Sequence, residues 1–159
     1  DEQFRYLTEK LNGYITGAYV YNKMGLTEQV ATTITIATPN PVRRFRFKNL
    51  DIECVKAYCM VYPDESLVPY LRLLDAIKDM KRIPGTTGQD IYNRVKSQYF
   101  NGYSLPELEK IVSLAKSYPP RVRKVVADIL GDIRQTVLQT EMAKTILPTT
   151  RFNLDYKTA

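Results

Sequence analysis

Between Asn12 and Thr27 the chain carries two backbone stops, Asn12-Gly13 and Gly25, and they constrain everything that follows. Asn12-Gly13 closes one helix. Gly25 suits the left-handed position past the end of another, and Leu26 supplies the apolar contact that accompanies such an ending. Between them the spacing predicts a short helix over 17–24, with the Thr16 hydroxyl as its cap. Immediately afterwards Val30-Ala31-Thr32-Thr33-Ile34-Thr35-Ile36-Ala37-Thr38 is a β-branched run of strand type. A capped helix feeding a strand is therefore the hinge of the sequence. Tyr14, Tyr19 and Tyr21 crowd this region and read as core or rim residues with their hydroxyls toward water, the alternative being rings that stack on bases. A helix, a tight turn and a second helix also allow a helix-turn-helix, although the second helix is short and offers only Lys23 and Asn22 for reading bases.

In front of the hinge, residues 2–11 place Phe4, Leu7 and Leu11 at helical spacing. Behind it, residues 31–62 read as three strands. Pro39-Asn40-Pro41 stops the first, since proline cannot join a central ladder. Arg43-Arg44-Phe45-Arg46-Phe47-Lys48 follows, and Asn49-Leu50-Asp51 reads as a tight return into Ile52–Val61, a nearly continuous apolar run expected to be the most buried strand. The remainder is helical. Tyr70, Leu73, Leu74, Ile77 and Met80 form one stripe behind Pro69, and Thr87 or Gly88 opens the next helix. Ser104-Leu105-Pro106-Glu107 is a capping box. Pro120 starts a long helix with Val122, Val125, Val126, Ile129, Ile133 and Val137 on one side. Strands followed by helices argue α+β: two short N-terminal helices, a small, mostly antiparallel three-stranded sheet, then about four helices packed on it. Residues 1–147 are expected to form a single domain and 148–159 an extended arm.

The chain has 159 residues, enough for a sizeable core without staples. No apolar run approaches the ~18 residues a membrane helix needs, so no membrane association is expected. Cys54 and Cys59 are not in a zinc or redox spacing, and reduced thiols in a cytoplasmic protein are the simple reading. Histidine is absent, which removes the usual Ser-His-Asp and Cys-His arrangements and His-ligated metals. No catalytic residue, metal or cofactor is expected. The net charge of +6 favours an anionic partner.

The basic run supplies the candidate site. On a strand, Arg44, Arg46 and Lys48 share one face at ~7 Å intervals. With Arg43 they can track phosphates or meet an acidic protein. Equally, they can be a solvated edge blunted by charge, with Asp51 and Glu53 close enough to pair across the hairpin. Arg121, Arg123 and Lys124 form a second candidate group: cations at a helix N-terminus oppose its dipole, which makes an anionic partner there more favourable. Asp51, Glu53 and Lys56 suggest a magnesium-dependent nuclease only in outline, because Glu53 and Lys56 fall on opposite strand faces.

Gly13-Tyr14-Ile15-Thr16-Gly17, Asn22–Thr27 and Thr33–Thr38, with Leu73–Ile77, Lys81–Pro84 and Tyr118–Arg123 further on, resemble the AbiEi-like antitoxins. These are the antitoxin and transcriptional-regulator halves of type IV abortive-infection systems. The resemblance spans roughly residues 13–133. It implies a non-catalytic bacterial domain that opposes a nucleotidyltransferase-like toxin, functionally rather than through a tight complex, and takes part in promoter autoregulation. Relatives usually carry a winged-helix DNA-binding domain in front. The chain begins close to the family's second domain, so contact with its own promoter DNA is expected mainly through that preceding domain. A homo-oligomer is a further expected partner. The alternative is a stand-alone nucleic-acid-binding protein using the basic strand.

Overall fold

The computed structural model describes residues 2–39, 43–59, 64–152 and Tyr156. Its α+β class is as expected, with a larger sheet and more helices. Two compact units emerge, Asp1–Asp75 with Ile83–Gly85 and Ala76–Arg82 with Thr86–Ala159. The expected single domain takes in both.

The first unit holds α1 (Glu2–Leu11), β1 (Tyr14–Thr16), α2 (Ala18–Lys23), β2 (Thr33–Thr38), β3 (Arg44–Phe47), β4 (Leu50–Lys56) and α3 (Val68–Lys78) as far as Asp75. The sheet has four strands in the order β1-β2-β4-β3. The outer pairs β1–β2 and β3–β4 are antiparallel, but the central pair β2–β4 is parallel. From β2 the chain skips one position, runs β3 along the edge and returns by a hairpin to fill the gap. Ile15, Ile34, Ile36, Ile52 and Cys54 form a buried face against Leu7 and Leu11 of α1 and Val20 of α2. Each such fully buried aliphatic side chain contributes about 2 kcal/mol by removal from water.

The two stops at the hinge are both helix endings of the Schellman kind. Asn12 closes α1 with φ 52°, while Gly13 N–H reaches the Thr8 carbonyl at 2.9 Å. Gly25 closes α2 with φ 77°, Leu26 N–H reaches the Tyr21 carbonyl at 3.0 Å, and Leu26 is fully buried, as the sequence predicts. The start of α2 differs. Its cap is Gly17 without a side-chain bond, because Tyr14-Ile15-Thr16 is the strand β1 and the Thr16 hydroxyl is used elsewhere. That strand also removes the helix-turn-helix, since α1 and α2 are joined through the sheet. Tyr14 and Tyr21 are core residues.

Three strand boundaries also differ. β2 begins at Thr33, leaving Val30 exposed. The return from β3 is one step early, with Lys48 and Asn49 making a two-residue turn between the paired residues Phe47 and Leu50. β4 ends at Lys56 and alternates between buried and accessible, so it is not the continuous buried run to Val61. Met60 and Val61 lie outside the described residues.

The second unit contains α4 (Gly88–Gln98), α5 (Leu105–Ala115), α6 (Pro120–Asp132) and α7 (Thr136–Ala143). Thr87 caps α4 by accepting from Asp90 N–H at 3.1 Å. Both halves of the Ser104–Glu107 capping box form at the start of α5. The expected long helix is two helices. Arg134 takes φ 65° and Gln135 N–H bonds the Leu130 carbonyl at 2.8 Å, so the chain turns and Val137 is 80% exposed. Within the expected arm, Tyr156 is buried. Its hydroxyl donates to Asp128 at 2.7 Å and its ring lies 5.1 Å from that of Tyr92.

Candidate interaction surface

β3 is an edge strand of the sheet, as β1 is on the other side, and its two faces carry different chemistry. Strand alternation puts Arg44 and Arg46 on the face away from the α1–α2 core. Register sets Arg44 opposite Glu53 and Arg46 opposite Asp51. Arg44 pairs with Glu53, and the Arg46 Nε lies 3.5 Å from the Asp51 carboxylate. The pairing across the hairpin that the sequence allows is therefore formed. These pairs are exposed, so each is worth only about 0–1 kcal/mol and opens cheaply. They also occupy Asp51 and Glu53, the carboxylates of the nuclease reading. Among the described residues no group of three or more acidic or sulfur side chains is placed to hold a metal.

Arg43 and Lys48 behave differently. Arg43 falls on the other face of the strand, its guanidinium 4.7 Å from the Phe45 ring centre. Lys48 leaves the expected row of three: in the turn, with φ 54°, it lies over Phe47 at 5.5 Å. The Phe47 ring stacks on Tyr6 of α1, with centres 5.4 Å apart and planes 22° from parallel. Lys10, one turn further along α1, lies 5.6 Å from the Tyr6 ring. Tyr6 is 49% exposed. Along this edge Lys10, Tyr6, Phe47, Lys48, Phe45 and Arg43 interleave cations with rings, and among the described residues none of the three cations forms an ion pair. Helical spacing gives Tyr6 no place on the Phe4–Leu7–Leu11 stripe, so only its position one turn before Lys10 marks it in the sequence.

The second candidate group is internally engaged. The Arg123 Nε donates to the Tyr118 carbonyl at 3.0 Å, and its Nη1 donates to the Thr145 carbonyl. Lys124 pairs with Asp128 at 3.0 Å. Arg121 keeps one buried guanidinium nitrogen without a hydrogen-bond partner among the described residues.

A cleft of about 480 Å³ lies beside β1, lined among others by Phe4, Arg5, Glu9, Glu65 and Arg72. The Arg72 Nε donates to the Ile15 carbonyl at 2.8 Å, and burial pulls its pKa down against the opposing influence of Tyr14 and Asp75. Two arginines and two glutamates balance in this cleft, so it does not select an anion. Arg72 was invisible in sequence because its partner is a backbone carbonyl far back in the chain. On the buried face of β4, burial raises the Cys54 thiol pKa, while Arg43 works in the opposite direction.

No family model matches the chain, and no curated protein or solved structure matches it. Among the described residues no helix is long and apolar enough to cross a membrane.

Proposed function

We propose that this chain is a non-catalytic binding module of the antitoxin and regulator kind, opposing a nucleotidyltransferase-like toxin and taking part in promoter autoregulation. Its contact with an anionic partner runs along the β3 edge. The motifs at 13–38, 73–84 and 118–123, which resemble the AbiEi-like antitoxins, support the class. The observation that carries the site is the division of labour on β3: Arg44 and Arg46 face carboxylates, whereas Arg43 and Lys48 rest on aromatic rings. A cation on a ring is held in place at little desolvation cost and still attracts an incoming anion. The role of Arg121, Arg123 and Lys124 is secondary in this reading, because two of the three are held by their own unit.

The test is charge reversal. Arg43→Glu with Lys48→Glu is expected to abolish both protection of cells from a co-expressed nucleotidyltransferase-like toxin and binding of the duplex upstream of the chain's own gene. Retention of both by a folded double variant refutes the assignment.

A further inference from the structure

The β3 edge carries more than charge. Resting on the reading above, we propose that the Tyr6–Phe47 stack is a platform for the bases of a single-stranded nucleic acid, with Lys10, Lys48 and Arg43 holding its phosphates. A surface that only attracts anions has no need of rings, and a duplex keeps its bases stacked on one another and offers none to a protein ring. A single strand presents both faces of its bases, and stacking on an aromatic side chain tolerates any sequence.

Three features of the edge fit that ligand. Tyr6 is half exposed and already oriented by its stack on Phe47, so its ring plane is fixed before anything binds. Lys10 covers the Tyr6 ring loosely, at 5.6 Å from its centre with its ammonium 3.5 Å from the Tyr6 hydroxyl. A long, exposed lysine swings from there to a phosphate as a base takes its place. Phe45 and Phe47 lie about 7 Å apart along the strand, each with its own cation, which repeats the alternation of base and phosphate. Lys48 occupies a left-handed position, φ 54°, at the first residue of a two-residue hairpin turn, where glycine is the relaxed choice.

The experiment is fluorescence anisotropy of the full chain with labelled oligo(dT), with a labelled duplex of the same length and with labelled polyglutamate, at matched salt. Oligo(dT) is expected to bind about 10-fold more tightly than the duplex. Tyr6→Ala should cost roughly 5- to 150-fold on oligo(dT) and leave the duplex unchanged, while Tyr6→Phe, which keeps the ring, should bind as the native chain does. Lys48→Gly relieves the turn, so it folds at least as well. It should weaken oligo(dT) and flatten the dependence of log affinity on log salt by about 0.7. Equal affinity for duplex and oligo(dT), or a folded Tyr6→Ala with native affinity, overturns the platform while leaving an electrostatic β3 contact standing. Binding of polyglutamate in preference to both nucleic acids also overturns it, in favour of an acidic protein partner. Binding of none of the three overturns the platform and the anion-binding role together.

Discussion

The Tyr14 hydroxyl donates a 2.7 Å hydrogen bond to the carboxylate of Asp75, sixty-one residues later in the chain. Thr16 donates to the same oxygen at 2.7 Å, and Asp75 is only 3% exposed. One buried carboxylate thus ties Tyr14 and Thr16 of β1, on the face opposite Ile15, to α3.

Asp75→Ala leaves two buried hydroxyls without this acceptor and is expected to cost about 3 kcal/mol. Asp75→Asn keeps an acceptor oxygen and loses only the charge-assisted part, about 1 kcal/mol. Chemical denaturation of the two variants checks the order; equal costs would mean the carboxylate is not the tie.

Why β1 escaped the sequence reading follows from the same contact. Three residues are too few to show an alternation, and Thr16 beside Gly17 is as good a helix cap as it is a strand residue. The deciding partner, Asp75, lies outside any local window. Arg134 and Lys48 were missed for a related reason, since both adopt left-handed backbone without being glycine or asparagine, the residues that signal it. Local chemistry was legible: the Gly25–Leu26 ending, the Thr87 cap, the Ser104–Glu107 box and the pairing of Arg44 and Arg46 with the acids of β4. Of the site, the cations were visible but their division between carboxylates and rings was not. That division depends on Tyr6, which comes from another element.

Gly13, just before β1, packs against β2. A Cβ there would overlap the Ala37 carbonyl oxygen and press on the Ile36 side chain. Gly13→Ala is expected to destabilise the fold by about 2 kcal/mol through this overpacking, read as a lower midpoint in urea with unchanged slope.

The two thiols should react differently. Cys54 is fully buried with its pKa raised, whereas Cys59 is half-buried. In the native state a thiol reagent near pH 8 should modify Cys59 only, and denaturant should release Cys54. Rapid native labelling of Cys54 would contradict its place on the buried face of β4.

In the second unit, the Tyr92 hydroxyl donates to Asp132 at 2.6 Å, where Lys96 also reaches at 3.2 Å. Burial, then the bond to Asp132, push the Tyr92 pKa far above its ordinary 10.0. Below about pH 9 the tyrosine is protonated in both folded and unfolded chains, and its full contribution is present. From about pH 10 upward the unfolded chain releases the proton while the folded one retains it, so stability falls as pH rises. Tyr92→Phe is expected to cost about 1–2 kcal/mol at neutral pH and to make that alkaline decline shallower. An unchanged decline would place its origin elsewhere.

Which cations of β3 meet the partner is measured most directly by the salt dependence of nucleic-acid binding. The ligand is the region upstream of the chain's own gene, as duplex and as separated strands. Neutralising Arg43 and Lys48 together, each to Gln, is predicted to flatten the slope of log affinity against log salt by about 1.4 on the single strands and about 1.8 on the duplex. Neutralising Arg44 and Arg46, which must first leave Asp51 and Glu53, should flatten it by clearly less. If removing Arg43 and Lys48 leaves the slope unchanged on both forms of the ligand, the β3 edge is not the contact surface.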